Sequence, residues 1–289
     1  MSTERTVLVT GATGQQGGAI ARELLDHEFE VLAMTRKPDG DAARELAKLG
    51  ARPVFGDLDD ENSLRSALEG VWGTLAVQNT WEAGVEGEEE QGKRFARVAR
   101  EAGVRHFVYQ SVGSAHRDTG IPHFDNKDRV EEVVRSLGFE STVIFRPVFF
   151  MENLLSPWFK PAIDEGTLAM ALEHDTRLQM IAVRDIGRFG VQGFTRADEL
   201  NGREFELAGD ALMMDEVARI LTEVSGRTIA FDPPPIEAVR EQSEEFAIML
   251  EWFDRVGYDA DIDALREEFG FEPQGFEAWA REHASAFRG

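Results

Sequence analysis

Three glycines, Gly11, Gly14 and Gly17, stand at even spacing between a short β-branched run and an amphipathic stretch, and no other feature constrains the fold of this chain as tightly. Thr6–Thr10 reads as a strand, and Gln16–His27 reads as a helix with Ile20, Leu24 and Leu25 on its inner face. A strand that must enter a helix within a few residues needs positions without Cβ atoms. The same turn lets a pyrophosphate approach the backbone where the first helical N–H groups and the positive end of the helix dipole meet it. Glycine turns end many strands, so the triplet alone says little. Its place between strand and helix makes Gly11, Thr13, Gly14, Gln15, Gln16 and Gly17 a candidate dinucleotide phosphate site.

The alternation continues downstream. Strands are expected at 30–35, 52–55, 73–77, 106–110 and 141–145, with helices at 41–49, 61–68, 86–102 and from near Lys127 to Leu137 between them. This rhythm predicts an α/β fold, a Rossmann doubly wound parallel sheet. Beyond Arg146-Pro147 it breaks into helical pieces (214–224, 235–257, 262–269, 276–287) and short strands (178–183, 204–207, 228–231). The expected organisation is a nucleotide-binding domain of residues 1–153 plus about 178–200, which return to the main sheet. A smaller, largely helical α/β domain for substrate or partner would take about 154–177 and 201–289.

The end of the second strand is informative about the nucleotide. A site for NAD usually places Asp or Glu there to accept the ribose hydroxyls; this chain has Thr35-Arg36-Lys37. A guanidinium suits bidentate contact with a 2′-phosphate, so Arg36, with Lys37 beside it, points to NADP(H). The alternative is a solvated cation pair on a loop before Pro38. Asp57 and Leu58 follow the third strand, where they could meet the adenine or simply form a turn or cap.

Those cations stand out because the chain is so acidic, with 54 Asp+Glu against 31 Lys+Arg and a net charge of −23. Such a balance argues against a nucleic-acid surface, which requires clustered cations. Only five of the basic residues are lysine, a composition like that of proteins from salt-loving organisms, although an acidic protein of another origin would share it. The absence of cysteine excludes disulfides, thiolate metal sites and cysteine nucleophiles. The histidines show no paired metal-ligand spacing, so no metal is expected. The acidic run Glu86–Glu90 reads as a charged helix N-terminus. No apolar run is long enough for a membrane span, and the short polar N-terminus leaves no room for a secretory signal, so a cytoplasmic protein with no membrane partner is expected, as monomer or homodimer.

Together with the glycine turn and Arg36, the segments Gly56-Asp57-Leu58-Asp59-Asp60, Asn79-Thr80-Trp81-Glu82, His123-Phe124-Asp125-Asn126-Lys127 and Arg146-Pro147 resemble the NmrA-like branch of the atypical short-chain dehydrogenases. Within that branch the chain is similar to the HSCARG-like NADPH sensors. The resemblance covers nearly the whole chain and implies a Rossmann domain, a small α/β substrate domain and NADP binding. Ordinary members of the wider superfamily use Ser, Tyr and Lys, the Tyr four residues before the Lys on one helical face and acting as acid toward the substrate oxygen. By this resemblance Ser111 matches the serine, Lys127 matches the lysine and holds the ribose, and His123 stands where the tyrosine would be.

Three readings follow. In a reductase of an apolar carbonyl or quinone, His123 or Lys127 would take the proton role. In a redox-sensing regulator, the nucleotide would bind without turnover and alter contact with a protein partner. In the third, Lys127 only holds ribose hydroxyls, and Ser111 and His123 have no part in chemistry. Asn79 and Trp81, at the carboxyl edge of the sheet, could contact the nucleotide and line its nicotinamide side, and Phe149 and Phe150 could wall a substrate pocket. Both the tryptophan and the phenylalanines could equally be structural.

Overall fold

The computed structural model describes residues 5–288; residues 1–4, which carry most of the polar lead-in expected above, lie outside the described residues. The chain alternates β1 (Thr6–Val9), α1 (Gln15–Asp26), β2 (Glu30–Thr35), α2 (Asp41–Lys48), β3 (Arg52–Phe55), α3 (Glu61–Ala67), β4 (Gly73–Ala76), α4 (Thr80–Glu101), β5 (His106–Gln110), α5 (Pro122–Ser136) and β6 (Ser141–Pro147). These strands form a parallel sheet in the order β3-β2-β1-β4-β5-β6. Central strands such as β5, HFVYQ, are buried at every position, as a sheet covered on both faces demands. One face packs Leu8, Phe107 and Tyr109 of the sheet against Phe95 and Val130 of the helices. The order reverses between β1 and β4, and ligands of such sheets bind in the crevice at the carboxyl ends of strands flanking that reversal.

Around the main sheet, three elements differ from the sequence expectation. Helix α4 begins at Thr80 rather than Glu86, because its first turn is a separate piece joined through Gly84, whose φ of 73° and ψ of 170° are not helical. Helix α5 begins at Pro122 rather than near Lys127; proline suits a first helical turn because its missing N–H would have had no partner there. His123 and Lys127 therefore lie one turn apart on one helix. The seventh strand of the main sheet is β10 (Arg203–Leu207), beside β6. It is not the segment at 178–183.

The chain divides into two compact units. The first holds the described residues up to His116, together with His123–Arg146 and Ile186–Phe205; the second holds Arg117–Pro122, Pro147–Asp185 and the residues from Glu206 onward. In the second, β7 (Phe149–Phe150), β9 (Arg177–Ile181) and β11 (Asp210–Met213) form a three-stranded sheet, and β8 (Thr167–Leu168) pairs with β12 (Ala230–Phe231). Around them lie α6 (Lys160–Asp164), α8 (Met214–Ser225), α9 (Ile236–Gln242), α10 (Glu244–Arg255), α11 (Ile262–Phe269), α12 (Phe276–Glu282) and α13 (Ala284–Phe287). The stretch 235–257, expected as one helix, breaks at Ser243, whose backbone is extended and whose hydroxyl accepts the Phe246 N–H to start α10. Helix α7 (Val183–Thr195) returns the chain to the first unit. No helix among the described residues is long and apolar enough to cross a membrane.

Candidate functional site

At the carboxyl end of β1 the backbone folds so tightly that side chains are excluded. Gly11 has φ 57°, and its carbonyl accepts the Gly14 N–H at 2.9 Å. A Cβ on Gly17 would stand 2.4 Å from the Gly11 carbonyl oxygen and 2.6 Å from that of Thr10. The Thr10 hydroxyl both donates to the Val77 carbonyl and accepts the Val77 N–H, each at 2.8 Å, which ties the loop after β4 to the glycine turn. The first turn of α1 carries no acidic residue, and Gly14 offers no side-chain cap. Its leading N–H groups are thus left to whatever anion approaches. The Gln16 Oε1 beside them is buried without a partner, and Thr13 and Gln15 are exposed. A dinucleotide pyrophosphate fits this cradle: it needs close backbone approach, free N–H groups and no competing carboxylate, and all three are present.

The side chains after β2, β3 and β4 are placed as follows. Arg36 and Lys37 are exposed at the end of β2, and the Arg36 Nη2 donates to the Glu82 Oε2 of α4 at 2.5 Å. Asp57 closes its own turn, accepting the Asp59 N–H at 3.0 Å, while Asp60 caps α3. Leu58 packs half-buried on the core, and its carbonyl accepts from Arg94. Asn79 caps α4 by accepting the Trp81 N–H at 3.1 Å. Trp81 is 66% exposed and tilts against the His123 ring at 5.7 Å between centroids.

Lys127 faces a partner that sequence reasoning did not anticipate. Its ammonium donates to the Glu88 Oε1 at 2.5 Å, and both side chains are buried. The second oxygen of Glu88 accepts from the Asn126 Nδ2 at 2.9 Å and from the Thr80 hydroxyl. Burial pushes the Glu88 carboxyl up, but the Lys127 charge and the hydrogen bonds from Lys127, Thr80 and Asn126 outweigh it and hold the group below the usual carboxylate range. The acidic run is thus more than a solvated helix start. Glu89 is half-buried between Lys93 and Arg129, and only part of the run faces water. Asn126, beside Lys127, also reaches the Val85 carbonyl at 2.9 Å, pinning α5 to α4.

Ser111 follows β5; its N–H donates to the Phe145 carbonyl, and its buried hydroxyl has no hydrogen-bond partner among the described residues. The chain's two tyrosines are Tyr109 and Tyr258, and neither stands one turn before Lys127 on α5. Tyr109 is fully buried inside β5, where burial and the charges of Glu88, Glu131 and Glu89 push its hydroxyl well above its ordinary value. Tyr258 belongs to the second unit, against Trp252 and Phe253. Phe149 and Phe150 also belong to the second unit, with Phe149 buried edge-on to Phe159, while Trp81 belongs to the first.

With this geometry in place, comparison with known proteins is informative. The profile of the NmrA-like family matches residues 3–279. The NmrA-like family domain-containing oxidoreductase FrzB of a Cladobotryum species is 29% identical over 253 residues, covering 78% of this chain and 75% of its own length. The (4-alkanoyl-5-oxo-2,5-dihydrofuran-3-yl)methyl phosphate reductase of Streptomyces griseus is 29% identical over 299 residues, covering 97% and 99%. Among solved structures, the Escherichia coli NADPH-dependent quinone oxidoreductase QOR2, complexed with NADPH, matches with a TM-score of 0.81 at 23% identity, covering 96% of this chain and 99% of its own. NmrA, a negative transcriptional regulator in complex with NADP, matches with a TM-score of 0.79 at 21% identity, covering 97% and 95%. The structural likenesses share the fold of the whole chain.

Proposed function

The chain belongs to the NmrA-like family, and from that premise we propose that it binds NADP(H) and serves as a redox-sensing regulator. The observation that carries the sensor reading is the buried Lys127–Glu88 pair. In a superfamily member that reduces carbonyls, the lysine lowers the pKa of a tyrosine one turn before it; here that position is His123, and the lysine charge is already neutralised by a carboxylate. The glycine turn would hold the pyrophosphate, with Gly11, Thr13, Gly14, Gln15, Gln16 and Gly17 around it. Arg36 and Lys37 would meet the 2′-phosphate, Asp57 and Leu58 would flank the adenosine, and Asn79 would stand at the nicotinamide half. Neighbours solved with NADPH, NADP and NAD support a nicotinamide dinucleotide here, and the choice of NADP(H) rests on Arg36 and Lys37.

A second reading is favoured by the relatives named as oxidoreductases and reductases. Bound NADPH would supply a hydride. An acceptor whose product is a stabilised oxyanion, such as a quinone, needs little help from an acid. His123, buried beside Trp81, would then move the proton, Lys127 and Ser111 would hold the ribose and substrate oxygen, and Trp81 would line the apolar side of the nicotinamide site.

Incubation with NADPH and a panel of quinones and aldehydes in concentrated KCl separates the two. For the sensor, NADPH binds tightly without consumption, and elution volume or protease sensitivity changes on binding. Turnover that is lost in Lys127→Ala or His123→Phe overturns it in favour of the reductase. NADPH binding should weaken at least tenfold in Arg36→Ala, as expected for loss of a bidentate charge-assisted contact; an unchanged preference for NADPH over NADH would remove Arg36 from the 2′-phosphate.

A further inference from the structure

The end of β2 carries a feature that Arg36 alone does not explain. In the order β4-β1-β2, the loops after β2 and β4 flank the glycine turn on either side, and the Arg36–Glu82 ion pair joins them. Glu82 is held ready for this by its own turn: its N–H donates to the Asn79 carbonyl at 3.1 Å, and the Asn79 side chain donates to its Oε1 at 3.3 Å. The short turn that carries it is separated from the body of α4 by Gly84, which lies in the left-handed region with open space where a Cβ would be.

We propose that Glu82 is a specificity-determining residue that opposes NADP(H) by holding Arg36, and so moderates the selectivity that Arg36 confers. The proposal rests on the reading of Arg36 as the 2′-phosphate contact. A 2′-phosphate that reaches the guanidinium meets a carboxylate already on it. Whether Glu82 is displaced or stays, its charge disfavours the phosphate, either as a competitor for Arg36 or by direct repulsion. The 2′-hydroxyl of NAD(H) carries no charge and can donate to the same carboxylate, so the opposition is selective. Because both side chains are more than half exposed, the effect is small, for exposed pairs are weak and screened by salt.

The test is titration of wild type, Glu82→Gln, Arg36→Ala and the double variant with NADPH and with NADH, read by calorimetry at one fixed ionic strength. Glu82→Gln should tighten NADPH by roughly three- to tenfold, the scale of one exposed pair together with one like-charge contact, and should leave NADH unchanged or weaker. The gain should shrink in the Arg36→Ala background. Unchanged NADPH affinity in Glu82→Gln, or equal shifts for both nucleotides, would overturn the proposal. If Arg36→Ala weakens NADPH while Glu82→Gln does nothing, only the role of Glu82 fails. If Arg36→Ala leaves NADPH unaffected, the reading of Arg36 fails with it.

Discussion

Glu88 and Lys127 pair as opposite charges in a buried place, and the consequence can be measured. Removing one member of a buried pair strands the other, at a cost of about 3–5 kcal/mol, whereas removing both costs far less. Glu88→Ala should therefore lower the unfolding free energy in urea by about that amount, and Glu88→Ala with Lys127→Ala should recover a substantial part of it. A double variant as unstable as the single one would show that packing, not charge, is what Glu88 provides. The pH sign follows from its depressed carboxyl: the stabilisation is present above the ordinary carboxylate value and is lost as pH falls through the lower folded value. Arg36 and the glycines could be picked out in the sequence because each is a distinctive residue type at a fixed offset from a strand end, and Lys127 through the family resemblance. Glu88 could not, since in the run Glu86-Gly87-Glu88-Glu89-Glu90 composition does not tell which carboxylate turns inward. Helical phase would have told: the buried face of α4 runs Glu88, Gly92, Phe95, Ala99, and projecting it back from Phe95 reaches Glu88.

At the scale of elements, His106 shows how a strand and a distant helix are fastened together. Its ring lies 5.3 Å from Trp72 and 5.2 Å from Phe194 between centroids, and its Nε2 donates to the Gly193 carbonyl of α7 at 2.9 Å. Burial pushes its pKa down to about 4 from an ordinary 6.5, partly offset by the hydrogen bond to Gly193. The folded protein thus resists a proton that the unfolded chain takes up, so stability is lost as pH falls from 6.5 toward 4, by up to about 3 kcal/mol. Thermal melts across that window should show the loss, and His106→Gln, which keeps a donor but does not titrate, should flatten it. An equally steep decline in His106→Gln would assign the acid lability elsewhere. The strands and helices of the first unit were legible because short apolar runs alternate with helical stretches halted by glycine, although the starts of α4 and α5 were not. The seat of α7 was not: Gly190 and Gly193 allow it to lie against Ile20 and Phe145, and glycines in a helix read from sequence as breakers rather than as contact surface. The break at Ser243 was hidden for the opposite reason, because helix-forming residues continue on both sides of it.

For the whole molecule, the doubly wound parallel sheet was readable from the alternation of strands and helices, while its seventh strand β10 and the strand pairing of the second unit were not. The second unit's strands β7 and β8 are two residues long, too short to carry a period, and pairing between distant segments leaves no local signal. Net charge, by contrast, is read directly and makes a claim about the molecule as a unit. Many ion pairs here are exposed, as in Arg44–Asp41 and Arg281–Glu277, and such pairs contribute about 0–1 kcal/mol each and weaken with salt. Against them stands the mutual repulsion of a chain with net charge −23, which is long-ranged at low ionic strength and opposes the compact state. Raising KCl from 0.1 M to 1 M shortens the screening length from about 10 Å to about 3 Å. Repulsion across the surface then vanishes, while pairs in contact keep part of their attraction and the buried Lys127–Glu88 pair is barely touched. The unfolding midpoint, followed by tryptophan fluorescence, should therefore rise with KCl by roughly 5–10 °C, the shift that a few kcal/mol produces in a protein somewhat larger than 250 residues. A midpoint that falls with salt would mean that the exposed pairs outweigh the net charge, and that the acidic surface is no adaptation to salt.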